Sequence, residues 1–388
     1  MMLQHYFADL HIHVGRNIAG KPVKITASKN LTITNILNEA SKRKGIDLIG
    51  VIDCQAPLVL KEIDELIANG LAYEKRQGGI KFKDTTLILG SEIEIYDASC
   101  QGPIHVLCYF PFLDTMREFS QWLRQHMKNI ELSSQRFYGT ARSLQEKVKQ
   151  LDGLFIPAHI FTPFKSLYGK GVKASLTEVL DPERIDAIEV GLSADTHMAN
   201  QISELHHYTF LTNSDAHSIA KIAREYQLLQ LEEPSFAELK QALYQQNGRK
   251  VVTNFGMNPR LGKYYLTVCA NCLTSLQGDV CQNCGSSKSI RGVRDRINEL
   301  TDNHSERPDC PLYRYQVPLE YLPSLGPKTM EKLLQHFGTE MNIIHHVPEE
   351  QLQTVVPLKL AKMIVALRHG KLSIQEGGGG RYGRIMME

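Results

Sequence analysis

Asp9-Leu10-His11-Ile12-His13 near the start of the chain and Asn213-Ser214-Asp215-Ala216-His217 far downstream decide how this sequence is read. Each stands at the end of an apolar run with strand character. In a strand, side chains two apart share a face, so His11 and His13 reach one point, and Asp215 with His217 does the same from another strand. Three further apolar runs carry the same chemistry: Glu92 and Glu94 follow Leu87-Ile88-Leu89-Gly90-Ser91, His105 lies in Ile104-His105-Val106-Leu107, and His159 follows Leu154-Phe155-Ile156-Pro157-Ala158. A lone histidine at a strand end is ordinarily a hydrogen-bonded structural residue. Five separate segments ending in imidazole or carboxylate instead predict a cluster of two or three divalent ions, Zn2+, Mn2+ or Mg2+.

Working outward, strand-like runs alternate with helical ones from residue 5 to about 255. The strands are read over 7–12, 48–52, 87–93, 104–109, 154–158, 187–190 and 209–212, with amphipathic stretches over 34–44, 119–131 and 236–246. That order predicts an α/β fold, a closed or distorted parallel barrel whose chemistry sits at the C-terminal ends of its strands. Trp122, Leu123 and Met127 read as a face covering the barrel. The 388 residues, 42% of them apolar, suffice for two or three domains. No charged segment followed by an apolar one opens the chain and no run of 18 apolar residues occurs, so a cytoplasmic protein without membrane association is expected. The net charge of +2 neither proves nor excludes a polyanionic substrate.

Of eight cysteines, Cys269, Cys272, Cys281 and Cys284 form two Cys-x-x-Cys knuckles, with Asn271, Gly278 and Gly285 as candidate turn formers. Four thiolates at this spacing complete a tetrahedron with no open position, which predicts a structural zinc. Lys288, Arg291, Arg294 and Arg296 follow closely and are either a solvated face or a DNA contact. The stretch 161–173 mixes aromatic residues, lysines and glycines. Phe164, Lys165, Tyr168, Lys170 and Lys173 there suit either a loop that stacks on bases and neutralises phosphates or an ordinary long loop.

From about 318 to 370 the pattern turns helical: Met330, Leu333, Leu334 and Phe337 recur after Pro327, then Leu360, Met363, Ile364 and Leu367. The opening Leu322-Pro323-Ser324-Leu325-Gly326-Pro327-Lys328-Thr329 resembles the hairpin of helix-hairpin-helix DNA-binding elements, with Ser324 where a glycine is usual. Gly326, Lys328 and Thr329 are its candidate phosphate contacts. A glycine-rich tail over 376–388, with Gly377–Gly380 and Arg381-Tyr382-Gly383-Arg384, reads as flexible. The expected units are therefore a barrel over 1–255, a zinc module over 256–300, a helical region over 301–375 and this tail.

The order of the metal-type segments resembles the PHP (polymerase and histidinol phosphatase) family of metal-dependent phosphoesterases. The resemblance implies His11, His13, Glu92, His105, His159, Asp215 and His217 as metal ligands, with His11, His13, Glu92 and Asp215 on the ion that does the chemistry. The chain departs from the pattern at Val14-Gly15-Arg16-Asn17 and at Ile52-Asp53-Cys54, where the family commonly has Asp-His. One of the family's three metal positions then lacks its usual ligands, or draws on Asp53, Cys54 or Glu94.

A PHP barrel alone would serve a small phosphomonoester and leave the last 130 or so residues without a role. With the four-cysteine and hairpin modules in this order, nearly the whole chain resembles the endonuclease Q family. That resemblance implies DNA containing deaminated bases (uracil, hypoxanthine, xanthine) or abasic sites as substrate, cut 5′ to the lesion. A small-molecule phosphatase and a nuclease of other specificity are the competing readings.

Overall fold

Gln4–Ile12 (β1) is buried on both faces from Phe7 onward, as an interior strand of a sheet covered on each side must be. The computed structural model describes residues 2–262, 264–276, 278–303, 307 and 309–372, with the backbone of 374–375 and 384–385. Most of the expected tail, Gly377–Gly380 and Arg381-Tyr382-Gly383 included, lies outside the described residues.

The strands after β1 are Leu48–Val51 (β2), Tyr73–Glu74 (β3), Ile80–Phe82 (β4), Thr85–Ile95 (β5), Ile104–Phe110 (β6), Arg136–Phe137 (β7), Leu154–Pro157 (β8), Ile188–Glu189 (β9), Phe210–Leu211 (β10), Tyr226–Leu231 (β11) and Lys250–Gly256 (β12). β1, β2 and β5 run parallel. Gly50 lets β2 press against β1, since a Cβ there would lie 2.3 Å from the Leu10 carbonyl oxygen. β6 is antiparallel to both β5 and β8, and β11 is antiparallel to β1 and β12. Backbone bonds from Asp186 to Phe155 and from Ile160 to Glu189 join β8 to β9. β9 pairs with β10, and Asn254 of β12 bonds the Phe210 carbonyl. The ring is thus closed, but it is mixed rather than parallel. Because β6 runs backwards, His105 enters the rim from the start of its strand, where Glu94 is its cross-strand partner.

Helices cover the barrel: Ile33–Glu39 (α1), Pro57–Ala68 (α2), Leu113–Arg124 (α3), Ala141–Gln150 (α4), the single turn Thr196–Ala199 (α5) and Phe236–Leu243 (α6). Thr32, Thr140 and Ser235 cap α1, α4 and α6 by accepting backbone N–H bonds, and Pro57 opens α2. α3 begins six residues before the amphipathic stretch expected from 119. Its apolar face is Leu113, Met116, Phe119 and Leu123, and the chain leaves the helix before Met127.

The later modules are not appended as separate beads. Val268–Cys269 (β13) and Ser289–Ile290 (β14) frame the four cysteines, and Val293–Leu300 (α7) follows. Leu312–Tyr315 (β15), inside the 301–375 unit expected to be a helical region, pairs parallel with β12 and extends the barrel sheet. Then come Pro327–Phe337 (α8), Glu340–His345 (α9), Glu349–Leu352 (α10) and Leu358–Arg368 (α11). Pro327 takes the first position of α8, as its fixed φ and missing N–H favour. α9 packs on the barrel, with the His345 ring stacked on Phe7 at 4.7 Å. Among the described residues, no helix is long and apolar enough to cross a membrane.

Candidate active site

Seven side chains from five segments converge at one end of the barrel. His11 Nε2 and His13 Nε2 each lie 3.5 Å from Asp215 Oδ1, and His217 Nε2 lies 3.3 Å from the same oxygen. Glu92 sits between two groups: its Oε1 is 3.5 Å from His11 Nε2, 3.4 Å from His159 Nε2 and 2.9 Å from His105 Nδ1. The sets His11/His13/Glu92, His13/Asp215/His217 and Glu92/His105/His159 each bring their ligand atoms within 4.8 Å of one another. Ligands sharing a tetrahedral ion at 2.0–2.1 Å stand about 3.3 Å apart, so these separations suit shared ions.

The imidazoles are aimed by Glu189, which the sequence did not single out, and by Asp53, which it offered as a ligand. Glu189 holds His11 Nδ1, and Asp53 Oδ2 lies 3.1 Å from His13 Nδ1 while also accepting the Val14 N–H at 2.7 Å. That leaves His11 Nε2 and His13 Nε2 turned inward, buried and without a hydrogen-bond partner among the described residues. Two buried, orphaned imidazole nitrogens beside carboxylates are what a metal site without its ion presents. Asp53 therefore orients a histidine. Cys54 turns away: its thiol donates to the Val51 carbonyl, and burial pushes it up to about 12. Glu94 stays at the rim, paired to Lys165 Nζ at 2.8 Å.

Electrostatics agree with a cation site. Burial would raise the Glu92 carboxyl, yet His105 and Lys24 hold it well below its usual range. Asp215 is likewise raised by burial and brought well below by His11 and His13. Burial opposes charge on His11, but Glu189 and Asp215 carry it well above an ordinary imidazole. Lys24, also unforeseen, places Nζ 3.2 Å from Glu92 Oε2 and 2.6 Å from Ser134 Oγ. His159 and Asp215 adopt φ of 32° and 45°, left-handed conformations that non-glycine residues reach at a cost and that cluster at functional sites. Gly191 makes room for the first, because a Cβ there would lie 2.8 Å from His159 Cβ.

The cluster forms the floor of a cleft of about 870 Å³. Phe164, Lys165, Leu261, Tyr264, Lys221 and Tyr321 line it. Phe164 meets Tyr264 edge-on at 5.6 Å. The rest of the 161–173 loop needs correcting as a stacking surface. Tyr168 is buried, stacked on Phe161, and its hydroxyl donates to Glu204, so its ring has no face for a base. Lys170 and Lys173 are exposed but lie off the cleft. Arg296 is corrected too, since it donates to the carbonyls of Tyr168, Val172 and Lys173 and so clamps this loop. Arg291 pairs with Glu299 and Arg294 with Asp295, while Lys288 is exposed.

Cys269 Sγ lies 3.5 Å from Cys284 Sγ, and Cys272 Sγ 3.5 Å from Cys281 Sγ. A zinc ion with bonds near 2.3 Å needs sulfur separations of about 3.8 Å, so the four thiols fit one. The two knuckles repeat one turn, with Leu273 and Gly285 at the left-handed position after each second cysteine. Gly285 thus serves as expected, and Asn271 sits in the turn of the first knuckle, its backbone bonding the Cys269 sulfur. In the hairpin, Ser324 has φ of 69°, the conformation the usual glycine would take, while Gly326, Lys328 and Thr329 open α8. Gly326 lines a second cavity with Ser28, Asn30 and Ser218, which places the hairpin beside the Asp215-His217 loop.

No protein-family model matches the chain. A lesion-specific endonuclease of Pyrococcus furiosus, PfuEndoQ, is 33% identical, with a TM-score of 0.85 over 99% of this chain and 96% of that one. The chain belongs to the endonuclease Q family. An endonuclease Q complex with a 27-mer duplex substrate carrying an abasic lesion at the active site superposes at TM-score 0.84, 33% identity, over 99% of this chain and 97% of that one. The uncharacterized protein YqxK of Bacillus subtilis (strain 168) is 53% identical over 385 residues, 99% of this chain and all of that protein.

Proposed function

We propose that this metal-dependent DNA endonuclease recognises deaminated bases and abasic sites and hydrolyses the phosphodiester 5′ to the lesion. The observation that carries the reading is the cleft. It brings Glu92, His105, His159, Asp215 and His217 together with Phe164, Tyr264 and Tyr321 around one cavity, in a family with a member seen holding an abasic duplex at its active site.

His11, His13, Glu92 and Asp215 would hold one divalent ion, His105 and His159 with shared Glu92 a second, and His217 a weaker third. Zn2+, Mn2+ or Mg2+ in such a cluster supplies a nucleophile at neutral pH and charge stabilisation for in-line displacement. The chain's own groups do the rest. Glu189 and Asp53 fix the Nδ1 side of two histidines, so their Nε2 lone pairs face inward. The Lys24 ammonium offsets the carboxylates at the floor. Attack of water on phosphorus breaks the P–O3′ bond, and the upstream 3′ oxygen leaves with a proton as a hydroxyl.

A duplex hides its base edges, so the damaged nucleotide must be turned out of the stack into the cleft. Phe164, Tyr264 and Tyr321 offer ring surfaces there, and Thr162, Ser193 and Lys165 offer donors to the keto oxygen that deamination creates. The four cysteines would hold a structural Zn2+, and Gly326, Lys328 and Thr329 would meet a backbone phosphate.

Competition separates this reading from a phosphatase. A duplex with one uracil should inhibit hydrolysis of a small activated phosphodiester, with an undamaged duplex inhibiting far less. Rapid turnover of small phosphomonoesters unaffected by either duplex would overturn the proposal.

A further inference from the structure

Beyond the cleft and the hairpin, one surface combines exposed aromatic rings with cations and has no part in the site described above. Tyr96 and Tyr138 are 40% and 50% exposed, and the Arg136 guanidinium lies over both rings, 4.9 and 5.5 Å from their centroids. Lys128 Nζ sits 5.9 Å from the outer ring, that of Tyr138. Arg136 donates to the Tyr96 carbonyl at 2.6 Å, which fixes the guanidinium between the rings and uses one of its five N–H groups.

The position of this patch gives it meaning. β7 pairs parallel with the end of β5, and Arg136 stands opposite Glu94. Neighbouring strands are about 4.8 Å apart, so the patch begins one strand away from the cluster rim. Glu94 in turn pairs with Lys165 on the cleft wall. A stripe of Phe164, Lys165, Arg136, Tyr138 and Lys128 thus leaves the cleft on one side. Lys221 and Tyr321 line the same cleft, and Gly326 of the hairpin lies beside Ser218, next to the Asp215–His217 end of the cluster.

We infer that the Tyr96–Arg136–Tyr138–Lys128 surface grips the DNA flank on the side of the lesion opposite the helix-hairpin-helix element. This rests on the reading of a lesion-containing duplex as substrate, and names where its second arm lies. Turning a nucleotide out of a duplex unstacks its neighbours, and holding that distorted state needs backbone contacts on both flanks. The hairpin lies on one. A guanidinium held between two rings presents its remaining N–H groups to phosphate, and the outer tyrosine offers a face to a sugar or an unstacked base.

The test is hydroxyl-radical footprinting of a uracil-containing duplex by the full chain carrying Asp215→Asn, which blocks incision. The Arg136→Ala/Tyr138→Ala variant should bind roughly tenfold more weakly and lose protection on one flank only. Lys128→Glu, on an exposed side chain outside the core, should weaken the same flank. Lys328→Ala/Thr329→Ala should weaken the opposite one. In the chain with Asp215 intact, hydrolysis of a small activated phosphodiester should be unchanged by the patch substitutions. Protection of both flanks at parental affinity, or loss of both together, would overturn the inference. Failure of the parental protein to give any lesion-centred protection would instead overturn the substrate reading beneath it.

Discussion

Glu189 Oε2 lies 2.9 Å from His11 Nδ1, and both side chains are shut off from solvent. A carboxylate on the far nitrogen fixes the tautomer and ring angle of a metal-binding histidine. Glu189→Gln should therefore weaken metal binding at the barrel site by about 10–100-fold while the fold persists. Metal titration followed by calorimetry checks this, and an unchanged affinity would show that His11 is aimed without Glu189.

The four cysteines give an independent prediction. The Cys269→Ser/Cys272→Ser variant should carry about one zinc fewer per chain and lose order around 264–303, with the barrel left folded. Elemental analysis combined with hydrogen exchange reads both, and equal zinc content would mean that the thiols bind none.

Much of this was legible from residue type and spacing. His11, Glu92, Glu94 and His105 lie on strands, as apolar runs carrying ligands predict, whereas His13, His159, Asp215 and His217 stand beyond strand ends, so strand alternation does not account for Asp215 and His217 meeting. Glu189 was not singled out, although a carboxylate inside Ala187-Ile188-Glu189-Val190 was a visible signal: a charge in a core strand needs a partner. Tyr168 misled because composition does not say which side of a loop a ring faces. The cleft walls were not readable at all, since Leu192, Met257, Leu261, Tyr264 and Tyr321 come from separate segments that only the fold brings together. β15 was missed because Leu312–Tyr315 is four residues long, without a sustained apolar run, and gains its strand character from β12. Its pairing with β12, together with His345 on Phe7, means that a cut after residue 255 would strip the barrel of an edge strand and uncover part of its core.

His345 predicts how acid acts on that junction. Its ring is packed against Phe7, Tyr226 and Phe255, and Nε2 lies 2.7 Å from the Tyr226 hydroxyl. Burial, helped by His346 and Arg368, lowers it to about 3. The unfolded chain takes up this proton near pH 6.5 and the folded one only near 3, so the unfolded state binds more protons in between. The contribution is fully present above about pH 6.5 and is lost as pH falls toward 3. His345→Gln should reduce stability at neutral pH through the lost stacking, yet flatten the acid dependence. Denaturation midpoints between pH 7 and 4 check it, and parallel curves for both proteins would contradict it.

The ligand set predicts a clean separation of binding from cutting. Asp215→Asn or His11→Ala should abolish incision while leaving binding to lesion-containing DNA within a few-fold, because little core is removed and the cleft walls stay. Filter binding beside a cleavage assay distinguishes the two, and near-normal strand cleavage by both variants would refute the metal assignment.

Lesion-specific incision is read by incubating the purified protein and a divalent metal with 5′-labelled duplexes that each carry one uracil, hypoxanthine, abasic site or normal base, and mapping the products at nucleotide resolution. A single break immediately 5′ to each lesion is expected, with a 3′-hydroxyl on the labelled fragment, no cutting of the normal duplex and none by Asp215→Asn. Equal cutting of damaged and normal duplexes, or breaks elsewhere than 5′ to the lesion, would contradict it.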